Sequence, residues 1–232
     1  MRKKIIVIGL GNFGGNLSIK LTEDGHEVFG IDKNPSCVDV IQRKINHAIG
    51  LDTSDESAIN HMPLDDCDLV VIAIGENIGA SVTTTALIKK NYDGRMIVRS
   101  LSPIHKTILE AMQIEEIIEP EAEYAHELSN RIMVRGAIKS MELHDGYEIV
   151  EVKIPKNIIG KTLGELDIKA KYKAHIVTVI KQVETTNYLG STTMQQKVHG
   201  ILHSVYQFQK DDLLLVFGKI GRIDKFIEDN GG

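Results

Sequence analysis

Cysteine is scarce in this chain of 232 residues, and a long apolar run is missing. Two cysteines, Cys37 and Cys67, are too few for a disulfide framework and form no CxxC pair, so we expect reduced thiols without a cysteine-based metal site. No stretch of about 20 apolar residues occurs, which predicts that no segment spans a bilayer. The net charge of −5 argues against a nucleic-acid binder, because such proteins are usually basic. The apolar run after the basic start breaks at Gly9, so we expect no leader peptide.

What is present is the composition of a protein with buried cores, 42% hydrophobic and 25% charged. The first half alternates β-branched runs with amphipathic stretches of helical length. Strands are predicted at Ile5–Gly9, Glu27–Asp32, Ala48–Leu51, Leu69–Ile74 and Met96–Arg99, and helices at Asn12–Thr22, Pro35–Lys44, Ile78–Asn91 and 102–112. This alternation predicts an α/β fold, a doubly wound Rossmann-like parallel sheet of five or six strands.

The second half differs in its pattern: it has more predicted strands, and strands and helices do not alternate. Strands are predicted at 147–154, 174–183, 204–209 and 212–218, and helices at Leu163–Tyr172 and Ile223–Asp229. We therefore expect a smaller α+β domain. The predicted domains are residues 1–135 and 136–232, with 121–135 forming a packed connecting helix.

The motif Gly9-x-Gly11-x-x-Gly14 follows the first strand and opens the first helix, which is the context that a dinucleotide-binding loop requires. Gly9 permits a tight turn, Gly11 lets the backbone approach a diphosphate, and Gly14 allows close packing of helix on strand. The helix N-terminus offers unpaired N–H groups to phosphate oxygens. Asp32 ends the second strand, where its carboxylate can accept hydrogen bonds from ribose hydroxyls and would repel a 2′-phosphate.

Other candidate binding residues follow the predicted strands, at the edge where α/β folds hold ligands. Asp52 could face an adenine edge or be an ordinary loop aspartate before a helix. Arg99 could reach a phosphate or be a surface arginine. The remaining candidates lie in the glycine loop (Asn12, Phe13), after the second and third strands (Lys33, Thr53) and after the fourth strand (Ala73, Gly75, Asn77).

Residues that could perform a reaction are not evident. His105 begins a helix and could be a proton donor, although a solvated helix histidine is the ordinary alternative. His199 and His203 have the i,i+4 spacing of a metal pair but lack the glutamate of an HExxH motif. Ser191-Thr192-Thr193 has no nucleophile-elbow context and predicts a turn. The site therefore contains groups that hold a nucleotide and none that react with it.

With these residues in place, the sequence resembles the RCK family, which regulates potassium conductance, and within it the free-standing cytosolic subunits of the KtrA/TrkA type. The resemblance covers nearly the full chain. It rests on the stretches VIGLGNFGGNLSIKL, HEVFGIDKN, LDTSDESAI, DLVVIAIGENIGASVTTTALIKK, EEIIEPEAEYAHELS, IIGKTLGELDIKAKYKAHIVTVIK and DDLLLVFGKIGRIDKF. The last two resemble the C-terminal RCK-C or TrkA-C lobe.

The resemblance implies a nucleotide at Gly9, Gly11 and Gly14, with Asp32 on the ribose and Asp52 and Thr53 near the base. It also implies homodimers that assemble into a ring, usually an octamer, under a membrane potassium-transporter subunit of the KtrB/TrkH type. Such subunits are not enzymes, and they lie in the cytoplasm at the inner face of the membrane. Glu121 matches a position where relatives hold Mg²⁺ or Ca²⁺ beside the nucleotide phosphates.

The chain also departs from the family pattern. Asn12 stands where many ATP-responsive relatives have arginine, so ATP, ADP, AMP and NAD(H) all stay open as ligands. Residues 184–208 replace a shorter, Pro-rich link. Cyclic di-AMP, which some relatives bind in the C-terminal lobe, remains possible near PKNIIGKTL, although no arginine is present there for its phosphates.

The sequence thus predicts a nucleotide-sensing subunit that gates potassium transport, with no role in binding nucleic acid. A small NAD-dependent oxidoreductase is the alternative from the enzyme class. A nucleotide- or redox-sensing regulator of another channel or of a transcription factor is the third hypothesis.

Overall fold

The structure, a computed structural model, describes residues 1–186 and 192–232. The chain divides into two compact units, Met1–Pro120 and Glu121–Gly232, called here the first and second units. The helix that follows Pro120 lies in the second unit by its contacts, whereas the sequence placed it at the end of the first domain. The predicted domain boundary at 135/136 remains a prediction.

The first unit is a parallel sheet with helices on both faces. Its strands are β1 (Lys4–Ile8), β2 (Glu27–Asp32), β3 (His47–Gly50), β4 (Leu69–Ile72), β5 (Arg95–Arg99) and β6 (Glu116–Ile118). Its helices are α1 (Asn12–Glu23), α2 (Pro35–Ile41), α3 (Glu56–Ile59), α4 (Ile78–Asn91) and α5 (Pro103–Ala111). The strand order β3-β2-β1-β4-β5-β6, all parallel, is that of a Rossmann-like doubly wound sheet.

Alternating residues of the central strand β1 belong to two of the hydrophobic clusters of this unit. Ile6 and Ile8 belong to a cluster that includes Ile88 of α4 and Leu109 of α5. Ile5 and Val7 belong to a second cluster, against which side chains of α1 pack. Because successive side chains of a strand point to opposite faces, a strand covered on both sides is apolar where it is buried, as β1 is over residues 5–8.

Side-chain caps begin several of these helices where the sequence predicts them. Asn34 accepts a hydrogen bond from the Ser36 amide before α2, and Pro35 occupies its first turn. Ser102 accepts from the His105 amide before α5. The helix α2 ends at Ile41, three residues before the predicted end at Lys44.

The second unit is an antiparallel sheet with helices packed on one face. After helix α6 (Pro120–Met133, counted from the last residue of the first unit) come strands β7 (Ala137–Glu142), β8 (Tyr147–Lys153), β9 (His175–Thr186), β10 (Thr192–Val198) and β11 (Leu213–Lys219). The remaining helices are α7 (Ile168–Tyr172) and α8 (Ile220–Asp229). The strand order is β10-β9-β11-β8-β7, and Val150 and Val152 of β8 face a core shared with α7 and α8.

The structure confirms the predicted strands β8, β9 and β11 and the helix α8, and it corrects three expectations. Residues 204–209 form no strand and contribute an isolated bridge at Gln207. The predicted helix Leu163–Tyr172 is two pieces, a 3₁₀ turn at Leu163–Glu165 and α7, separated by Asp167 in a left-handed conformation. The predicted turn at 191–193 is wrong for Thr192 and Thr193, which begin β10; Ser191 lies outside the described residues.

Candidate functional site

The candidate site lies at the edge of the first sheet where its strands end. In a parallel sheet all carboxyl ends meet at one edge, so the glycine loop after β1 and the loops after β2, β3, β4 and β5 share that edge. The chain crosses between β3 and β4, so the connections leaving β1 and β4 diverge at the centre of the sheet. This switch point is where such sheets bind ligands.

The glycine loop has room for a side chain only at its middle glycine. Gly9 has a φ of +94°, and a Cβ there would lie 2.8 Å from the Ile74 nitrogen. A Cβ on Gly14 would lie 1.9 Å from the Gly9 carbonyl oxygen, so only glycine fits. At Gly11, by contrast, a Cβ would meet nothing within 4 Å. The open space over Gly11 is therefore available to a ligand that approaches the backbone.

The N-terminus of α1 offers main-chain donors to this space. Gly11 precedes the helix with extended backbone, and no side chain caps it. The first N–H groups of a helix have no partner within the helix, and they carry the positive end of its dipole. The first turn of α1 also carries no acidic side chain that would compete for these groups. The arrangement suits an anion such as a phosphate.

The carboxylate of Asp32 is tied to the glycine loop. Its Oδ2 accepts a hydrogen bond of 2.7 Å from the Leu10 amide, and its Oδ1 accepts one of 2.7 Å from the Asn34 amide. Each carboxylate oxygen has further lone pairs, so the group can still accept bonds from a sugar. The sequence predicts the position of Asp32 but not its bond to Leu10.

Asp52 and Thr53, which follow β3, differ in exposure. Asp52 is exposed, and bonds from the Ser54 hydroxyl (2.6 Å) and amide (3.0 Å) hold its pKa below the ordinary value, with a smaller contribution from the charge of Lys33. Thr53 is only 4% exposed, and its hydroxyl lies 3.0 Å from that of Thr84 in α4. The Thr53 hydroxyl is therefore committed to the helix α4.

The segment after β4 meets both the glycine loop and β5. Ala73 is buried, and its methyl group would lie 3.0 Å from a Cβ on Gly14. A Cβ on Gly75 would lie 2.7 Å from the Arg99 guanidinium, which also stands 5.6 Å from the centre of the Phe13 ring. These contacts bring a cation from β5 beside the first turn of α1.

Two predicted residues of this edge have structural roles of their own. The side chain of Asn77 caps α4 by accepting a hydrogen bond of 3.0 Å from the Ala80 amide. Asn12 is exposed, and its carbonyl accepts a hydrogen bond of 2.7 Å from the Asn16 side chain.

Two residues missed by the sequence reasoning also border Asp32. The pKa of the Cys37 thiol is raised by burial and by the charges of Asp32 and Glu76, which places both carboxylates near this thiol. Glu76 belongs to the same loop as Gly75, so that loop and the end of β2 approach each other. A glutamate beside a candidate anion site carries no sequence signal that would have identified it.

His105 is neither the exposed proton donor nor the solvated histidine considered from the sequence. It is fully buried, its Nδ1 accepts a hydrogen bond of 3.2 Å from the Leu101 amide, and its Nε2 has no hydrogen-bond partner. Burial lowers the pKa of this imidazole. A buried ring cannot exchange protons with a substrate at the sheet edge, so the structure gives His105 a packing role.

Metal ligands are not grouped in the part of the chain that the structure describes, where no three His, Cys, Asp or Glu side chains are placed to hold an ion. His199 and His203 are both exposed, and the His199 ring packs edge-on against Tyr206 at 4.7 Å. Glu121 lies in the first turn of α6 in the second unit. Among the described helices, none is long and apolar enough to cross a bilayer.

Comparisons with known proteins give this geometry a context. The family model of the TrkA-N domain matches residues 5–120. Ktr system potassium uptake protein C of Bacillus subtilis (strain 168) is 30% identical over 226 residues, 97% of this chain and 96% of that protein. Ktr system potassium uptake protein A of the same organism is 29% identical over 177 residues, 76% of this chain and 80% of that protein.

Solved structures show the same fold. The GsuK channel aligns with a TM-score of 0.63 at 14% identity, over 100% of this chain and 40% of the channel chain. The GsuK channel bound to NAD aligns with a TM-score of 0.57 at 15% identity, again over 100% of this chain and 40% of that chain. This chain thus spans about two fifths of the channel's length, and at these identities the likeness shows the fold alone.

The first unit, a Rossmann-like sheet with a glycine loop at its switch point, is a TrkA-N domain, and an antiparallel α+β lobe follows it. The sequence identity of 30% to a Ktr protein extends over nearly the whole length of both chains, so the similarity is not confined to the first unit. The chain belongs to the family of the Ktr and Trk potassium uptake proteins.

Proposed function

We propose that this chain is the nucleotide-sensing regulatory subunit of a potassium transporter and that it gates transport without catalysing a reaction. The observation that carries the proposal is the bond from the Leu10 amide to Asp32, which joins a sugar-binding carboxylate to an uncapped, glycine-lined helix N-terminus. The full-length similarity to named potassium uptake proteins supplies the physiological setting.

The ligand is an adenine nucleotide (ATP, ADP or AMP) or NAD(H). Phosphates would lie over Gly11, where a Cβ would meet no atom within 4 Å, and would face the N–H groups of the first turn of α1. The Arg99 guanidinium beside Phe13 and Gly75 adds positive charge on the same edge. Asp32 would accept bonds from ribose hydroxyls, and its charge disfavours a 2′-phosphate. Asp52, beside Lys33, would face the base.

Assembly and location follow from the same proposal. The subunit forms homodimers and then a ring, with an octamer as the expected size. The ring docks on a KtrB/TrkH-like membrane subunit at the cytoplasmic face of the membrane. Glu121 would bind Mg²⁺ or Ca²⁺. Cyclic di-AMP, near PKNIIGKTL, is a candidate second ligand.

Binding can gate a pore only through unequal affinity for two conformations. A nucleotide that prefers one conformation by 10- to 100-fold contributes about 1.4–2.7 kcal/mol per site. Several identical sites in a ring multiply this contribution, so a modest preference at each site moves the equilibrium decisively. No reaction is needed for such a switch.

Titration calorimetry tests the nucleotide site directly. Purified chain is titrated with ATP, ADP, AMP, NAD⁺, NADH and NADPH, after any molecule retained through purification has been identified by mass spectrometry. We expect saturable binding of at least one of the first five and markedly weaker binding of NADPH. Absence of binding by all of them would contradict the proposal.

The membrane partner is tested separately. A tagged chain should co-purify with a potassium-transporter membrane subunit when both genes are expressed together, and potassium uptake should then depend on the nucleotide. A nucleotide-binding chain that never associates with such a subunit would instead support the regulator of another target.

The alternative, an NAD-dependent oxidoreductase, has less support. Its candidate proton donor, His105, is fully buried. Incubation of the chain with NADH and a panel of carbonyl substrates should show no oxidation of the cofactor. Steady turnover of NADH would favour the enzyme.

A further inference from the structure

A cluster of four polar side chains in the second unit joins the helix α6 to two strands. The His126 Nε2 lies 2.5 Å from a carboxylate oxygen of Glu142 at the end of β7. The same nitrogen lies 3.0 Å from the amide nitrogen of Asn130, one turn along α6. Glu148 of β8 stands directly opposite Glu142 in the β7–β8 register. None of these residues belongs to the nucleotide site described above.

The two neighbours of the His126 Nε2 require opposite protonation states of that nitrogen. A carboxylate only accepts hydrogen bonds, so Glu142 bonds to Nε2 when the nitrogen carries a proton. The amide nitrogen of Asn130 only donates, so it bonds to Nε2 when the proton is absent. The His126 Nε2 can therefore bond to only one of these neighbours at a time, Glu142 on the strand or Asn130 on its own helix.

Glu148 adds a second proton-sensitive group to the cluster. It is 4% exposed, and its Oε2 has no hydrogen-bond partner. Burial raises the pKa of its carboxyl, the charge of Glu142 raises it further, and His126 lowers it. Like charges directly opposite each other on paired strands are destabilising, so the Glu142–Glu148 pair is favoured when one of the two is protonated.

The charged groups that act on Glu148 come from α6 and β7. His126 faces it from α6 and Glu142 from β7, while its partner on β11 is Gly218, which has no side chain. When Glu148 is neutral, the facing pair carries one carboxylate charge, that of Glu142. When Glu148 ionises, two like charges stand opposite each other on the paired strands.

We propose that this cluster is a proton-operated latch that holds α6 against the β7–β8 hairpin in acid and releases it as pH rises. The ionised form of Glu148 is the form that the fold penalises. Its contribution to stability is therefore complete below the ordinary glutamate value of 4.5 and is lost as pH rises through the raised folded value.

Limited proteolysis of the full chain measures the latch. Arg131 is the sole lysine or arginine within α6, so trypsin cleavage after it reports the release of that helix. Cleavage at about pH 5.5 and about pH 8 is quantified by mass spectrometry as a ratio to the Glu148→Gln variant at the same pH, which removes the pH dependence of the protease itself. We expect cleavage after Arg131 to rise with pH several-fold more in the wild-type chain than in Glu148→Gln.

A matched control lies on the same strand. Glu151 is also buried, at 6% exposure, with an unpartnered Oε1. Because it is three residues from Glu148, it points to the opposite face of the sheet, away from α6. Glu151→Gln should keep the wild-type dependence on pH. His126→Asn, which removes the contact from α6 to Glu142, should raise cleavage at both pH values. His126→Asn also serves as the second arm if Glu148→Gln fails to fold.

Identical profiles in the wild-type chain, Glu148→Gln and His126→Asn would overturn the latch. A change of profile in Glu151→Gln as large as in Glu148→Gln would also overturn it, because the effect would then reflect any buried carboxylate of β8. Both results are independent of nucleotide binding, so the proposed function would be unaffected by either.

Discussion

At the scale of single residues, the two carboxylate oxygens of Asp32 hold different parts of the backbone. One accepts from the Leu10 amide at the start of the glycine loop, and the other from the Asn34 amide before α2. The side chain thus shapes the site and remains able to accept further hydrogen bonds. Its substitution should therefore affect both stability and binding.

We expect Asp32→Asn to weaken nucleotide binding by about 10- to 100-fold, because one acceptor becomes a donor and a charged hydrogen bond contributes about 1.5–3 kcal/mol. Calorimetric titration measures the affinity. Asp65→Asn, an exposed substitution at the opposite edge of the sheet, is the control and should bind as the wild-type chain does. Equal affinity in Asp32→Asn and the control would remove Asp32 from the site.

Two variants of the glycine loop separate an effect on folding from an effect on binding. At Gly14 an added Cβ would lie 1.9 Å from the Gly9 oxygen, so Gly14→Ala should destabilise the first unit by several kcal/mol or prevent its folding. At Gly11 the φ of −62° suits alanine and the space around its Cβ is open, so Gly11→Ala should fold normally.

Gly11→Ala should nevertheless lose nucleotide affinity, since its methyl group would occupy the space proposed for phosphate. Thermal denaturation separates the two variants by stability, and titration then measures binding by Gly11→Ala. Full affinity in a folded Gly11→Ala chain would show that no ligand approaches this part of the loop.

The burial of His105 should make the stability of the fold sensitive to acid. Burial lowers its folded pKa below the ordinary value of 6.5, so its contribution is complete above pH 6.5 and is lost as pH falls through the lowered value. The loss follows a slope of at most about 1.4 kcal/mol per pH unit. Urea denaturation of wild-type chain and His105→Gln across this range should show a smaller slope in the variant; parallel curves would contradict it.

At the scale of elements, local signals predict the first unit well. Caps, prolines and apolar runs identify most strands and helices there because each element is set largely by its own sequence. The second unit was harder. β7 carries alternating, half-exposed residues, and β10 is a polar edge strand paired only with β9, so neither has the apolar run that marks a buried strand.

Asn77 is a candidate site residue that also stabilises a helix. Its side chain caps α4, and removing an N-cap costs about 0.5–2 kcal/mol, so Asn77→Ala should lower the free energy of unfolding by about 1 kcal/mol. Asn77→Ser keeps a capping oxygen and should retain most of that stability. Denaturation measures both effects; a Ser variant as unstable as the Ala variant would show that capping is not the role.

The candidate site was predictable to the extent that topology alone places residues. Spacing from the glycine motif identifies Asp32, and strand ends identify Gly75 and Arg99. The cap formed by Asn77 and the burial of Thr53 were missed because they depend on where each side chain turns after the strand ends. That direction is set by packing between elements, which a linear pattern does not record.

At the scale of the whole molecule, the nucleotide should stabilise the first unit selectively. A ligand present at 100 times its Kd adds about 2.7 kcal/mol to the stability of the state that binds it. Hydrogen exchange should therefore slow in β1, α1 and the loop after β4 when nucleotide is added. Uniform slowing in the second unit, with none in these elements, would place the ligand elsewhere.

The bond between Leu10 and Asp32 has a consequence for selectivity among ligands. In the proposed binding mode, a molecule that binds only Asp32, such as adenosine, contacts the same carboxylate that accepts a hydrogen bond from the glycine loop. The binding free energies of the nucleoside and phosphate moieties are then not additive, because binding of one moiety changes the loop geometry that the other moiety meets. Fragments tested one at a time should recover less affinity than the intact nucleotide does.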